Sequence, residues 1–362
     1  MRKRLGISIY PNQSTVEEDI EYIKLANKNG FERVFTCLLS VEGDKEIVIA
    51  NYKKTITYAR ELGMDVIADI SPCVFTQLKI AADDLSFFRD IGATGIRLDI
   101  GFTGQEEAMM TYNPYGLKIE LNMSTATKYI DHLLTFQPNR KNLLGCHNFY
   151  PHKYSGLSYP FFIECSKKFS DLGIRTAAFV SSPEATFGPW PIVEGLPTLE
   201  MHRDLAIDVQ AKHLFATQVI DDVIIGNAYA SEHELKMLGK MDKDLIIFSV
   251  KLYDGISNLE RTIVLDRFHF YRGDVSDYMI RSTGSRISNR TGEIKPFNTR
   301  NMKRGDVLID NDLYGQYAGE LQIALNDMEN SGKTNVVGRI REEEIFLLDY
   351  LQPWGKFTFH KI

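Results

Sequence analysis

Gly95-Ile96-Arg97-Leu98-Asp99-Ile100 is the stretch on which the fold turns. Apolar Ile96, Leu98 and Ile100 alternate with charged Arg97 and Asp99, the period of two that a β-strand imposes on its side chains. A strand with one aliphatic and one charged face needs a helical layer on the first side and a polar interior on the second. Working outward, short apolar runs recur at 5–9, 33–37, 65–70, 117–121, 142–146, 174–179 and 222–226. Amphipathic segments lie between them, among them 15–29, 47–62, 125–135 and 160–172. Ser14 with Glu17, and Ser231 with Glu234, have capping-box spacing. Gly30, Gly63 and Gly173 follow helices where a left-handed residue is needed. Eight strands alternating with helices predict an α/β fold, a (β/α)8 TIM barrel, rather than a doubly wound open sheet. No G-x-G-x-x-G follows the first strand, so a dinucleotide fold has no support.

The texture changes near residue 242, which divides the chain into a barrel domain over 1–241 and a smaller domain over 242–362. The second domain reads as β-rich, with strands at 245–252, 261–270, 306–309 and 356–361. Its two Arg-Gly-Asp triplets, at Arg272 and Arg304, are read as tight turns, because Gly-Asp is ordinary turn chemistry.

Of the 362 residues 44% are hydrophobic and 25% charged, with a net charge of −6. That balance gives nucleic acid or an anionic membrane no broad basic face to bind. A small anionic substrate needs only a local Arg or Lys. Cys37, Cys73, Cys146 and Cys165 form no C-x-x-C pair and are expected to be reduced and buried. After Met1-Arg2-Lys3-Arg4 the apolar run is too short for a secretion signal. No stretch approaches the ~20 apolar residues of a membrane helix. A cytoplasmic protein is expected. His residues are scattered, and G-x-S-x-G is absent; neither a metal nor a cofactor is expected.

Alternation also selects the candidate site. Ile7 and Ile9, Val66, Ala68 and Ile70, Ile96, Leu98 and Ile100, and Leu117, Ile119 and Leu121 are the helix-facing sets. Ser8, Asp69, Arg97, Asp99, Lys118, Glu120 and Asn122 then point into the barrel, whose core is usually aliphatic. Buried charges must be paired or wet. One reading is a structural network in which Arg97 and Lys118 neutralise Asp69, Asp99 and Glu120. The other is an active site, because Asp69, Asp99 and Asn122 fall at strand C-termini, and a carboxylate among like charges acquires the raised pKa that a general acid needs. Above those ends, His147-Asn148-Phe149-Tyr150-Pro151 mixes hydrogen-bonding groups with flat rings suited to a sugar. A long Gly/Pro/Trp-rich loop runs to Pro197. Thr198 is placed to cap a helix with Glu200 in its first turn. Asn227, after the eighth strand, lies where barrels bind phosphate.

Several segments together resemble one bacterial family. They are Gly6-Ile7-Ser8-Ile9-Tyr10-Pro11, Leu98-Asp99-Ile100-Gly101-Phe102, Asn148-Phe149-Tyr150-Pro151, Leu196-Pro197-Thr198-Leu199-Glu200 and Asp221-Asp222-Val223-Ile224-Ile225-Gly226-Asn227. Gly305-Asp306-Val307-Leu308-Ile309-Asp310-Asn311 and Tyr317-Ala318-Gly319-Glu320-Leu321-Gln322-Ile323 extend the match into the second domain. The family is that of the 6-phospho-N-acetylmuramidases. The resemblance implies a barrel followed by a cyclophilin-like domain. It also implies cleavage of the β-glycosidic bond of N-acetylmuramic acid 6-phosphate joined to N-acetylglucosamine, a disaccharide taken up during peptidoglycan recycling. No catalytic residue follows from it. Glycosidases generally use two carboxyl groups; Asp99 with either Glu120 or Glu200 is the expected pair, and Asp69 a further candidate. Ser8, Arg97, Asn122, His147, Asn148 and Tyr150 are expected to touch substrate. Asn227, Arg203 and, from the second domain, Arg281 are the candidates for its phosphate and lactyl carboxylate. The second domain is expected to close one side of the pocket. Rival chemistries on a barrel are phosphosugar isomerisation, epimerisation and aldol cleavage; a Schiff-base aldolase has Lys118 as its one inward lysine. A surface adhesin using the Arg-Gly-Asp turns is the non-enzymatic alternative.

Overall fold

The computed structural model describes residues 1–38, 45–191, 194–288 and 292–362. It contains two compact units, Met1–Met241 and Asp242–Ile362. In the first, eight parallel strands close into a barrel in chain order: β1 (Arg4–Ile9), β2 (Arg33–Leu38), β3 (Asp65–Ile70), β4 (Gly95–Leu98), β5 (Lys118–Asn122), β6 (Leu143–Cys146), β7 (Arg175–Val180) and β8 (Asp222–Ile225). β8 closes the ring by pairing with β1. The TIM-barrel expectation is met.

The closure follows from the alternation. Ile7, Val66, Ile96, Ile119 and Ile225 all enter one apolar layer with Tyr22, Ile23 and Ala26 of the helix Val16–Lys28. Removing such side chains from water contributes roughly 1.5–3 kcal/mol each. The opposite residues fill the interior, and they divide by side. Phe35, Ala177, Phe179 and Ile224 make an apolar half under β1, β2, β7 and β8. Asp69, Arg97 and Glu120 make a charged half under β3, β4 and β5.

Local differences from the sequence reading have identifiable causes. β4 ends at Leu98, because the backbone carbonyl of Asp99 is taken by the Asn122 side-chain amide. Ile100, expected to pack under the helices, is therefore 65% exposed. The first helix is capped by Thr15 with Glu18, not by Ser14 with Glu17; Ser14 donates to the Tyr10 carbonyl. The helix expected over 125–135 begins only at Tyr129. Thr198 caps no helix. Its hydroxyl donates to the Asn148 carbonyl and accepts from the Phe179 amide, and Leu199 precedes the short 3-10 turn Glu200–His202. All four cysteines are free, and Cys73 is exposed rather than buried.

The second unit is a seven-stranded sheet: β9 (Ile246–Leu252), β10 (His269–Phe270), β11 (Met279–Ser282), β12 (Asp306–Asp310), β13 (Leu321–Ala324), β14 (Thr334–Ile340) and β15 (Lys356–Lys361). Their order is β10-β15-β9-β14-β12-β13-β11. The first half of the strand expected over 261–270 belongs to a helix, Asn258–Leu265, and only its last two residues, β10, are strand. Thr262-Ile263-Val264 has strand propensity, but Ser257 and Glu260 form a complete capping box and Ile263 and Val264 enter the core from the helix. A cap and a burial face outweigh propensity of a few tenths of a kcal/mol. Both Arg-Gly-Asp triplets are bends: Arg272 clamps Asp274, and Gly305 has φ 89° just before β12. Among the described residues no helix is long and apolar enough to cross a membrane.

Candidate active site

At the C-terminal ends of β3, β4, β5 and β6 the charged half of the barrel opens to solvent. Arg97 is its centre. It is buried, and its Nη1 donates to Asp69 Oδ1 at 2.6 Å and to Asp99 Oδ1 at 3.3 Å. Its Nη2 donates to the Asn148 side-chain carbonyl. Asn122, the last residue of β5, donates to the Asp99 carboxylate at 3.3 Å. Asp69, Arg97, Asp99, Asn122 and Asn148 thus form one connected group, supplied by four neighbouring strands.

The two aspartates differ in environment. Asp69 is buried beside the Cys37 thiol, which points at its second oxygen from 3.9 Å. Burial, helped by the charges of Asp99 and Glu120, raises its pKa against the opposing effect of Arg97. Asp99 has a side chain 41% exposed. One carboxyl biased toward its protonated form therefore stands beside one that is open to a ligand. Because both touch the same Arg97 nitrogen, their oxygens are no more than about 6 Å apart, compatible with the ~5–5.5 Å carboxyl spacing of retaining glycosidases.

Glu120 is elsewhere. It is the ladder neighbour of Arg97 but is fully buried and pairs with Arg33, the first residue of β2. Arg33 also holds Asp222 at 3.0 Å, and Asp222 in turn binds Arg4 and Arg175. Arg4, Arg33, Arg175 and Asp222 each begin a strand, so this network lies toward the N-terminal floor. Arg33, not Lys118, neutralises Glu120; Lys118 donates to the Lys141 carbonyl and the Asn142 side chain at the same end. The lysine considered for an aldolase is thus opposite the mouth.

Glu200 and Arg203 are joined to each other. Arg203 Nε and Nη2 donate to the two Glu200 oxygens at 2.8 and 2.7 Å, and the Tyr154 and Gly156 amides donate to the same carboxylate at 2.8 Å. These donors, Arg203 foremost, hold Glu200 down at about 2. The remaining Arg203 donors go to the carbonyls of Tyr150, His152, Glu194 and Gly195. The pair staples the loops after β6 and β7. Gly156 is required there, since a Cβ would lie 2.7 Å from Glu200.

The other expected residues separate similarly. His147 is fully buried outside the barrel, bonded to Ser124 at 3.1 Å and Ser166 at 2.9 Å, and burial lowers it to about 3. It stays neutral and positions Asn148 through Ser124, whose oxygen accepts the Asn148 amide. Asn227 spends its side chain on both backbone groups of Ser182, at 2.7 Å each. Ser8 is buried in the interior, and Tyr150 is half-buried beside Ser124. Arg281 belongs to the second unit, paired with Glu320.

Two features of the mouth gather residues that the sequence pointed to only separately, and one of them adds Lys153. Phe149 packs edge-on against Phe35, Phe179 and Trp190, and Trp190 is 43% exposed, a flat apolar wall. A cleft of about 350 Å³ at the ends of β7 and β8 is lined by Lys153, Ser181, Arg203 and Asn227, together with the acidic Glu194 and Asp204. Lys153 sits seven residues past the end of β6 in sequence, so alternation gave no signal for it.

A (β/α)8 barrel with an arginine-bridged pair of carboxylates at its C-terminal mouth, continued by a mixed β unit, defines a two-unit barrel protein of the kind that hosts acid–base chemistry. The profile of the 6-phospho-N-acetylmuramidase N-terminal domain matches residues 5–240, and that of the C-terminal domain of the same family matches residues 246–360. The chain belongs to the 6-phospho-N-acetylmuramidase family. An uncharacterized Bacillus cereus protein of known structure is 48% identical, with a TM-score of 0.93 over 99% of this chain and 100% of its own. A conserved Enterococcus faecalis protein of unknown function is 27% identical, with a TM-score of 0.73 over 99% and 96%. No curated protein matches the chain.

Proposed function

We propose that this protein hydrolyses the β-glycosidic bond of 6-phospho-N-acetylmuramic acid–N-acetylglucosamine in the cytoplasm, as a step of peptidoglycan recycling. Membership of a family named for that activity supports the substrate class. The observation that carries the chemistry is the Asp69–Arg97–Asp99 cluster at the strand ends.

In this reading Asp69 is the general acid and Asp99 the nucleophile. Asp69 gives its proton to the leaving oxygen as the C1–O bond breaks, and Asp99 bonds to C1 from the other face. Water then bonds to C1 and gives a proton to Asp69 as the C1–O bond to Asp99 breaks, which frees Asp99 and retains the anomeric configuration. Arg97 and Asn122 fix the orientation of Asp99 without neutralising it. This replaces the expected pairing of Asp99 with Glu120 or Glu200, whose carboxylates are engaged by Arg33 and Arg203. Phe149 and Trp190 offer a stacking wall for a pyranose. For the phosphate, Lys153 in the β7–β8 cleft is the cation best placed, at the end of the barrel where phosphates commonly bind.

The test is hydrolysis of a chromogenic 6-phospho-N-acetylmuramide beside its unphosphorylated twin, with the product anomer followed by NMR. Turnover of the phosphorylated compound with retention is expected. Folded protein that turns over neither compound would remove the glycosidase reading.

A further inference from the structure

In the second unit the sheet has two unlike faces. Ile280, Val307, Ile309, Leu321 and Ile323 of β11, β12 and β13 point into the larger apolar core. The alternate residues face the other way, where only Met302, Leu308, Ala324 and Val336 form a small cluster. On that second face Arg281 stands directly opposite Gln322 in the ladder. Both border a cavity of about 540 Å³. Met279, Met302, Met328, Tyr314 and Tyr317 make its apolar side, and Ser276, Glu329, Asn330 and Ser331 share the lining.

The polar floor is specific. Arg281 spends Nε and Nη2 on Glu320 Oε1, at 2.7 and 2.6 Å, and Nη1 has no partner among the described residues. Gln322 donates through Nε2 to Asp310 Oδ2 at 2.8 Å, and no described residue donates to its Oε1. Thr334 donates to the other Asp310 oxygen at 2.8 Å. One donor and one acceptor thus remain side by side on neighbouring strands, in a cavity of mixed polar and apolar lining. A concave pocket of this size with a few convergent polar groups is the ordinary form of a small-molecule site.

We propose that this cavity binds a secondary amide with a small apolar flank, the acetamido group of an N-acetylated amino sugar. The ligand N–H donates to Gln322 Oε1, its carbonyl accepts from Arg281 Nη1, and its methyl and ring lie against the methionines and tyrosines. Other chemistries fit less well. A phosphate or carboxylate meets the carboxyl groups of Asp310 and Glu329 in the same lining, with Glu320 already between Arg281 and Arg286. A metal ion or amine meets Arg281 itself and an Asp310 that burial pushes up to about 7. The choice of an amino sugar among secondary amides rests on the proposed function; the amide chemistry does not.

The experiment uses the full chain with 13C-methyl methionine. N-acetylglucosamine is titrated against it, beside glucosamine, which lacks the amide, and N-acetylalanine methylamide, which carries it on a peptide. N-acetylglucosamine is expected to shift the Met279, Met302 and Met328 methyls saturably, and glucosamine to leave them still. Gln322→Leu should weaken the binding about tenfold or more. Tyr317→Ala, at the half-exposed rim, should also weaken it while leaving the Asp310 and Glu320 bonds intact. Methyls unmoved at about 50 mM, where even a millimolar ligand registers, would overturn the site. So would shifts indifferent to both variants. A peptide amide that binds as well as the sugar would overturn the amino-sugar assignment. A protein that hydrolyses the phosphorylated muramide yet fails this titration loses only the second site; one that binds here without hydrolysis loses only the glycosidase reading.

Discussion

The floor and the mouth of the barrel are built from the same two residue types. At the floor, Arg4, Arg33 and Arg175 meet Asp65, Asp222 and Glu120, three cations against three anions. At the mouth, Arg97 alone meets Asp69 and Asp99. The floor is balanced, and Asp222 and Glu120 are wholly enclosed; the mouth is short of positive charge, and Asp99 is open. A balanced, enclosed network holds strands together and gives a ligand no access. An unbalanced one holds a carboxyl toward its protonated form, which costs stability and supplies a proton donor. Charge inside a barrel is therefore no guide to function until its balance and its access are known.

The strongest way to break this comparison is to neutralise each cluster. Asp99→Asn and Asp69→Asn should each lower kcat on the phosphorylated muramide by about 10²–10⁴-fold, with thermal midpoints near that of the parent. Glu120→Gln should do the reverse. It weakens a buried pair whose loss costs about 3–5 kcal/mol, so the urea midpoint should fall while kcat of the folded fraction stays within a few-fold. A Glu120→Gln protein that is stable but inactive would move the catalytic acid to the floor.

The barrel itself was legible because each strand sorts its residues by a period of two, and Ile96, Ile119 and Val66 are helix-facing as that period requires. The same rule named Asp69, Arg97 and Glu120 as interior. It did not say at what height each would act. Strands in a closed barrel are tilted and staggered, so ladder neighbours sit at different levels; Glu120 registers with Arg97 yet reaches down to Arg33. Period also says nothing of residues beyond strand ends. Lys153 in its cleft, and the Arg203–Glu200 staple whose other partners are backbone groups of distant loops, depend on loop paths that no local pattern encodes. In the second unit, propensity at Thr262-Ile263-Val264 pointed to a strand although Ser257 and Glu260 carried the helix signal.

Lys153→Met sharpens the mouth side of the comparison. If this lysine supplies the positive charge that Arg97 does not spare, the substitution should raise KM for the phosphorylated compound by roughly tenfold, the order of one exposed charge-assisted contact, and leave thermal stability and kcat little changed. Glu200→Gln should disturb the loops instead, lowering both kcat and stability modestly, since it loosens the grip of Arg203 without removing a reacting group. An unchanged KM in Lys153→Met would place the phosphate outside this cleft.

The smallest effect tests the electrostatic contrast directly, through the pH dependence of stability. Asp69 has a raised pKa, so the native state binds its proton more tightly than the unfolded chain does; its contribution to stability is present below the unfolded value, ~4, and is lost as pH rises through the folded value. Asp222 is the opposite case. Despite the cost of its burial, the bonds and charges of Arg4, Arg175 and Arg33 hold its pKa well below the usual carboxylate range. Its contribution is present above ~4 and is lost as the pH falls through the folded value. Thermal midpoints of the parent, Asp69→Asn and Asp222→Asn, measured from neutral pH downward, should therefore diverge. On acidification the parent should gain relative to Asp69→Asn and lose its advantage over Asp222→Asn, by on the order of 2–4 °C for each kcal/mol transferred. Parallel curves for the two variants would mean that mouth and floor share one electrostatic environment, and Asp69 would lose the property that recommends it as the acid.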